Sequence, residues 1–215
     1  MEVDMDIKGA IKYFSPFEIG LWLCSVTAVA LSYLLFGGDG YSTAASLIGV
    51  TSLIFLAKGN PVGQVLMIIF GTLYGIISFG FAYYGEMITY VGMTVPMALL
   101  ALISWLRNPY KGRRSEVRVA HLGTVDILIG LGLTAVVTVI FYFILGALGT
   151  ANLLISTFSV TTSFFAVYLT FRRSAYYALA YAANDLVLIV MWIMATLADS
   201  SYLSVVVCFV VFLVI

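Results

Sequence analysis

The chain has 215 residues, 63% of them hydrophobic and 9% charged, with a mean hydropathy of +1.12. A soluble domain of this size needs a charged surface that so few ionisable residues cannot supply, so the composition identifies a polytopic membrane protein. Ten basic residues balance ten acidic ones, the single histidine (His121) excludes a His-rich metal site, and Cys24 and Cys208 both lie in apolar runs, against a disulfide framework.

The N-terminal stretch MEVDMDIKGAIKYFSPFE is mixed in charge and does not read as a signal peptide. Residues 1–17 are expected to form a cytosolic N-terminal segment. A helical span needs about 17–25 apolar residues. The polar breaks then predict eight: Ile19–Phe36, Thr43–Ala57, Gln64–Tyr83, Glu86–Leu106, Thr124–Leu148, Asn152–Phe171, Tyr176–Leu197 and Ser201–Ile215. The second and eighth are short, and the chain stops inside the eighth, which suggests a further C-terminal tail. Threaded alternately, these spans put every Lys and Arg on one side: Lys8 and Lys12, Lys58, the five of RNPYKGRRSEVRVAHLG, and Arg172-Arg173. The positive-inside rule makes that side the cytoplasm and places both termini there. The opposite loops carry Asp39, Glu86 and Asp199 and no basic residue. The basic loop between spans four and five reads first as a topology anchor, and secondarily as a patch for a partner or a lipid.

Two segments share an order of punctuation. Each has a helix with Val-Thr and a following Ser (Val50-Thr51-Ser52; Val160-Thr161-Thr162-Ser163), a basic turn (Lys58; Arg172-Arg173), a second helix, an acidic outer turn and a third helix. Two parallel triplets need an odd helix between them. The predicted architecture is therefore all-α: a single transmembrane domain over 1–215, with one N-terminal helix, a first triple-helix repeat at 44–106, a linker helix at 124–148 and a second repeat at 152–215. Parallel repeats related by an axis along the membrane normal are a transporter plan, with the substrate site near mid-membrane.

Three carboxylates sit at or within spans. Glu86 and Asp126 fall in first helical turns and read as caps. Asp185, in YALAYAANDLVLIVMWIMA, lies well inside span seven, where a carboxylate costs roughly 2.5–3.5 kcal/mol unless it faces the bundle interior. Tyr181, Asp185, Leu188 and Trp192 share a helical face, overlapped by Tyr177, Tyr181 and Asn184. A carboxylate and an amide among aromatic rings suit a flat, polar, cationic ring. Span three can add Thr72, Tyr74 and Ser78, span four Tyr90 and Thr94 with Pro96 bending the helix, and span six Thr157, Thr161, Thr162 and Tyr168. Gly71-x-x-x-Gly75 reads as close helix packing. No serine-hydrolase elbow, phosphate-binding loop or metal cluster appears, so no enzyme and no cofactor is expected.

The stretches SPFEIGLWL, AKGNPVGQ, FGTLYGIISFGFAYYGEMITYVGMTVPM, the Asn-Asp helix and YLSVVVCFVVFLV resemble the PnuC family of bacterial vitamin B3 (nicotinamide riboside) transporters over nearly the whole chain. The resemblance implies a fold similar to the SWEET sugar transporters. It also implies facilitated diffusion of a nucleoside-like vitamin through a bacterial inner membrane, with trapping by a cytosolic kinase. On this sequence the binding roles it implies fall on Tyr177, Tyr181, Asn184 and Asp185, with Tyr74, Tyr90 and Thr94. Members of the family tend to carry Asn and Gln where this chain has Tyr90 and Ala98, so a deoxynucleoside, thiamine or riboflavin stands as the alternative cargo. A membrane adaptor working through the basic loop is a further alternative. No nucleic-acid partner is expected, and the sequence leaves homo-oligomerisation open.

Overall fold

The computed structural model describes residues 13–36, 40–80, 84–150, 152–198 and 203–214. Its helices are α1 (Pro16–Phe36), α2 (Gly40–Ala57), α3 (Pro61–Gly80), α4 (Tyr84–Thr89), a π-helical turn (Tyr90–Thr94), α5 (Val95–Leu106), α6 (Thr124–Ala147), α7 (Leu153–Phe171), α8 (Tyr177–Ala198) and α9 (Leu203–Val214). The segments α4, π turn and α5 follow one another without a break. Among the described residues, six helical stretches are long and apolar enough to cross a membrane; α2 is shorter. The protein is an all-α, multi-pass membrane protein, and its helices match the predicted spans. α1 and α3 begin about one turn before the apolar runs, at Pro16 and Pro61. Proline fits the first helical position because the N–H it lacks would have no partner there.

The apolar side chains divide by where they point. Val125, Leu128, Leu131 and Phe143 of α6 are exposed, as expected for a lipid-facing surface, whereas Val50, Phe70, Ala98, Leu188, Trp192 and Phe212 form a core shared by α2, α3, α5, α8 and α9. Within each triplet successive helices pack together; between them α5 lies on α7, and α9 lies on α2. That reciprocal exchange of third helices is what a rotation about an axis along the bundle requires.

The two basic turns are counterparts atom by atom. Gly59 donates to the Leu56 carbonyl at 2.7 Å and Asn60 to that of Phe55 at 2.9 Å, while Arg173 donates to Thr170 and Ser174 to Leu169, each at 2.9 Å. Gly59 (φ 65°) and Arg173 (φ 58°) are both left-handed. The Asn60 side chain accepts from Val62 N–H, and the Ser174 hydroxyl from Tyr176 N–H. This register pairs Lys58 with Arg172, and it sets Val50 opposite Phe164, one helical turn from the Val160 that the sequence pattern suggested.

The correspondence extends to the helices before each triplet. Glu18, in the first turn of α1, pairs with Lys58 at 3.0 Å, and Asp126, in the first turn of α6, pairs with Arg172. Glu18 also accepts from Ser15 N–H and Asp126 from Gly123 N–H, so both carboxylates cap their helices. α1 packs on α2 and α9. α6 packs on α7, and its Val137 and Phe141 lie against a cluster holding Met93 of the π turn. The N-terminal helix and the linker helix therefore hold equivalent places, one ahead of each triplet. The side chain of Glu86, and residues Asp39 and Asp199, lie outside what is described.

The basic loop contains a hairpin that the sequence pattern does not announce: β1 (Pro109–Tyr110) pairs antiparallel with β2 (Arg113–Val117). Its two-residue turn, Lys111-Gly112, has φ of 49° and 79°, the type I′ combination that matches the twist of a strand pair.

Candidate functional site

Asn184 and Asp185 are 5% and 7% exposed. Eight residues of helix separate Asp185 from the start of α8, placing it about 12 Å along the axis, in the middle third of the helix. The α7 run Thr161-Thr162-Ser163 explains what happens to Asn184: its Oδ1 accepts from the hydroxyls of Thr162 and Ser163, each at 2.8 Å. The amide is thereby oriented, with its NH₂ taking no part in those two bonds. Among the described residues no donor bonds the Asp185 carboxylate. Its helical face is shared with Leu188 and Trp192, which are 3% and 5% exposed in the central core, so Asp185 turns toward the bundle and not toward lipid.

Between the two halves lies a crevice too tight to hold a water molecule. It is enclosed by α3 and the π turn and α5 from one half, and by α7 and α8 from the other. Gln64, Thr94, Thr170 and Tyr181 supply its polar atoms, and Met67, Met97, Ala98, Ala101 and Val167 its apolar walls. Two of the expected binding residues, Thr94 and Tyr181, therefore meet here, as does Ala98, the position where the family resemblance leads one to expect an amide. Gln64 is a site residue that the sequence reading passed over. It stands at the start of the predicted span, where a glutamine reads as interfacial, yet it is 2% exposed and its Nε2 has no hydrogen bond among the described residues. Burying an amide without a partner costs about 1–3 kcal/mol, which marks the position as carrying something other than stability.

The remaining candidates arrange themselves along the bundle. Toward the end away from the basic turns, Tyr74 and Tyr90 hold their rings 4.4 Å apart at 51°, with Phe70 5.7 Å from Tyr74 and 5.9 Å from Phe212. Trp192 is buried in the same core. At the basic end Tyr177 donates its hydroxyl to the Leu56 carbonyl, joining α8 to α2, and its ring lies 6.1 Å from that of Trp105. The Trp105 indole N–H donates to the Thr170 carbonyl at 3.0 Å, joining α5 to α7. These bonds floor the cavity. Thr161 stands apart from the group: its hydroxyl lies 2.8 Å from that of Thr138 on α6.

Pockets that hold drug-sized ligands measure about 300–1,000 Å³. The crevice has no such room and is a closed arrangement, so a nucleoside-sized molecule enters only if side chains or the two halves part. At its walls it offers such a molecule the Gln64 amide and hydroxyls from three elements, those of Thr94, Thr170 and Tyr181; Asn184 and Asp185 do not line it but are buried one turn along α8 from Tyr181. Among the described residues no cluster of His, Cys, Asp or Glu could hold a metal ion.

Residues 40–215 match the sequence model of the family described as Nicotinamide mononucleotide transporter. A curated relative, the Nicotinamide riboside transporter PnuC of Neisseria mucosa, is 24% identical over 97 residues, which covers 45% of this chain and 37% of the relative. The chain thus aligns with little more than a third of that protein. A solved structure, the crystal structure of the Vitamin B3 transporter PnuC, superposes with a TM-score of 0.81 at 21% identity, covering 94% of this chain and 87% of that one, and shares the fold. The chain belongs to the nicotinamide mononucleotide transporter family of membrane transporters.

Proposed function

We propose that the protein carries nicotinamide riboside, or a cationic vitamin of similar shape, across the membrane by facilitated diffusion. The observation that carries the reading is Asp185: a buried carboxylate with no donor among the described residues, mid-way along α8 and one turn from Tyr181 at the cavity wall. A carboxylate kept this deep in a membrane protein is expensive unless it has a partner, and a pyridinium ring is a partner of the right charge. Tyr181 and the Tyr74–Tyr90 pair supply electron-rich ring faces, and the NH₂ groups of Asn184 and Gln64 supply donors for the hydroxyls of a sugar. Family membership supports a small nucleoside-like substrate, and the relatives' names favour the riboside.

The two halves rock about the cavity, exposing it to each side in turn. The basic end faces the cytoplasm of a bacterial inner membrane, in keeping with the positive-inside rule, and a cytosolic kinase that phosphorylates the cargo keeps the gradient inward.

The test is equilibrium binding of nicotinamide riboside, thiamine, thymidine and riboflavin to purified protein and to Asp185→Asn. Nicotinamide riboside is expected to bind, and the variant to weaken it at least about tenfold, since charged contacts are worth about 1.5–3 kcal/mol. Thymidine binding more tightly than the riboside, with the variant unaffected, would overturn the charge argument and favour a neutral cargo.

A further inference from the structure

The segment after the hairpin crosses from one half of the molecule to the other and is bonded to both. Val117 N–H donates to the carbonyl of Gly59, and Ala120 N–H to the carbonyl of Arg173, each at 2.9 Å. These two carbonyls are equivalent: each belongs to the left-handed residue of a basic turn, one closing α2 onto α3, the other α7 onto α8. The guanidinium of Arg173 adds a contact to the Arg118 carbonyl at 3.4 Å. Upstream, Arg118 N–H donates to the Asn108 carbonyl at 2.8 Å and Asn108 N–H to that of Trp105 at 3.1 Å, so the hairpin is fastened to the end of α5. Downstream, Gly123 begins the cap of α6.

Three residues reach about 11 Å at most. With both bonds made, the two basic turns are therefore held close together. Directly beneath them lie the Tyr177–Leu56 and Trp105–Thr170 bonds that floor the cavity. Any motion that opens the basic end by separating the halves must break one of the strap's anchors. The same closure crowds like charges. Arg118, Arg172 and Arg173 lie near one another; burial and the charges of Arg118 and Arg172 hold Arg173 below the usual arginine range. Arg172 is neutralised by Asp126, whereas the buried Nε of Arg173 has no hydrogen bond among the described residues. The closed strap is thus fastened by backbone bonds and strained by its own charges.

We propose that Val117–Ala120 is a strap that latches the basic end shut, and that releasing Gly59 or Arg173 from it is the step that opens the cavity on that side. The proposal rests on the reading of the protein as a transporter whose halves move against each other.

The test is a distance measurement between the halves. In a chain carrying Cys24→Ala and Cys208→Ala, spin labels are placed at Val62→Cys and Tyr176→Cys, both exposed positions next to the basic turns, and read by pulsed electron resonance without ligand. The parent is expected to show one short distance. Two perturbations lengthen or cut the strap: Gly-Gly inserted between Arg118 and Val119, and Ala120→Pro, which removes the donating N–H. Each is expected to add a population at longer distance, up to about 7 Å longer for the insertion. Arg118→Gln, added to the Gly-Gly insertion, keeps the carbonyl, removes a repelling charge and is expected to shrink the insertion's longer-distance population. Distance distributions superimposable on the parent's in both the insertion and Ala120→Pro would overturn the proposal, leaving the segment a passive link. Binding of nicotinamide riboside is measured in parallel. Loss of binding in the parent with the distance shifts intact sinks the substrate and keeps the strap, and the reverse pattern sinks only the strap.

Discussion

Two buried amides show how a single residue can be legible or hidden. Asn184 stands out because a carboxamide in the middle of an apolar run serves either a site or an interhelical hydrogen bond, and in the fold its oxygen accepts from two hydroxyls of α7. Gln64 was hidden because three residues after a proline turn a glutamine looks interfacial, although it is fully buried. The threonines of α7 make the complementary point: one residue is a 100° turn of the helix, so Thr161 meets the linker helix while Thr162 and Ser163 meet Asn184. A sequence pattern locates such a run but does not say which member faces the site. From the unpaired donor follows a test. Gln64→Leu removes an unsatisfied polar group for a side chain of similar size, so its melting temperature in detergent is expected to hold or rise. Substrate affinity should fall by about tenfold, the worth of about one hydrogen bond to a buried donor. A variant that melts early and binds normally would return Gln64 to a structural role.

At the scale of elements, the spans were readable because bilayer thickness imposes a length on apolar runs. Two features escaped. The Lys111-Gly112 hairpin is short and basic, without the alternation that betrays a strand. The π turn Tyr90–Thr94 comes immediately before the residues leading to Pro96, where a simple bend was expected. Its signature is the bond from Val95 N–H to the Tyr90 carbonyl, a wider loop that accommodates one extra residue and rotates the side chains on either side of it. Tyr90 consequently packs at a tilt against Tyr74 while Thr94 reaches the crevice. The small-residue motif Gly71-x-x-x-Gly75 lets α3 pack closely on the π turn and α5. A Cβ on Gly71 would stand 3.0 Å from Val95 Cγ2, and one on Gly75 would stand 2.4 Å from Val91 Cγ2. Gly75→Ala is therefore expected to cost about 1–3 kcal/mol through overpacking, read as a lowered melting temperature. Gly132→Ala, where nothing lies within 4 Å, should be neutral or slightly stabilising. Equal effects of the two would mean that the α3 contact is looser than described.

For the whole molecule, the repeat was visible in the order of charges, but its extent was not. The sequence order gives the Glu18 carboxylate no partner; in the fold its bond to Lys58 stands beside that of Asp126 to Arg172. If the two units are equivalent, Glu18→Gln and Asp126→Asn should destabilise to similar degrees. Each should cost less than about 1 kcal/mol because the pairs are partly exposed. Well-separated sites add, so the double variant should sum the two, as thermal unfolding would show. One variant dominating the other, or a marked departure from additivity, would argue against matched roles.

The pairing of α1 with α6 also bears on descent. A unit of three helices ends on the opposite face of the membrane from where it starts, so copying it head to tail inverts the copy unless a spare helix is recruited. A unit of four returns the chain to its starting face. An ancestral gene for one such unit could have been duplicated and fused without any change of orientation, the segment around the hairpin being the seam. On that view the strap across the two basic turns is what the seam became.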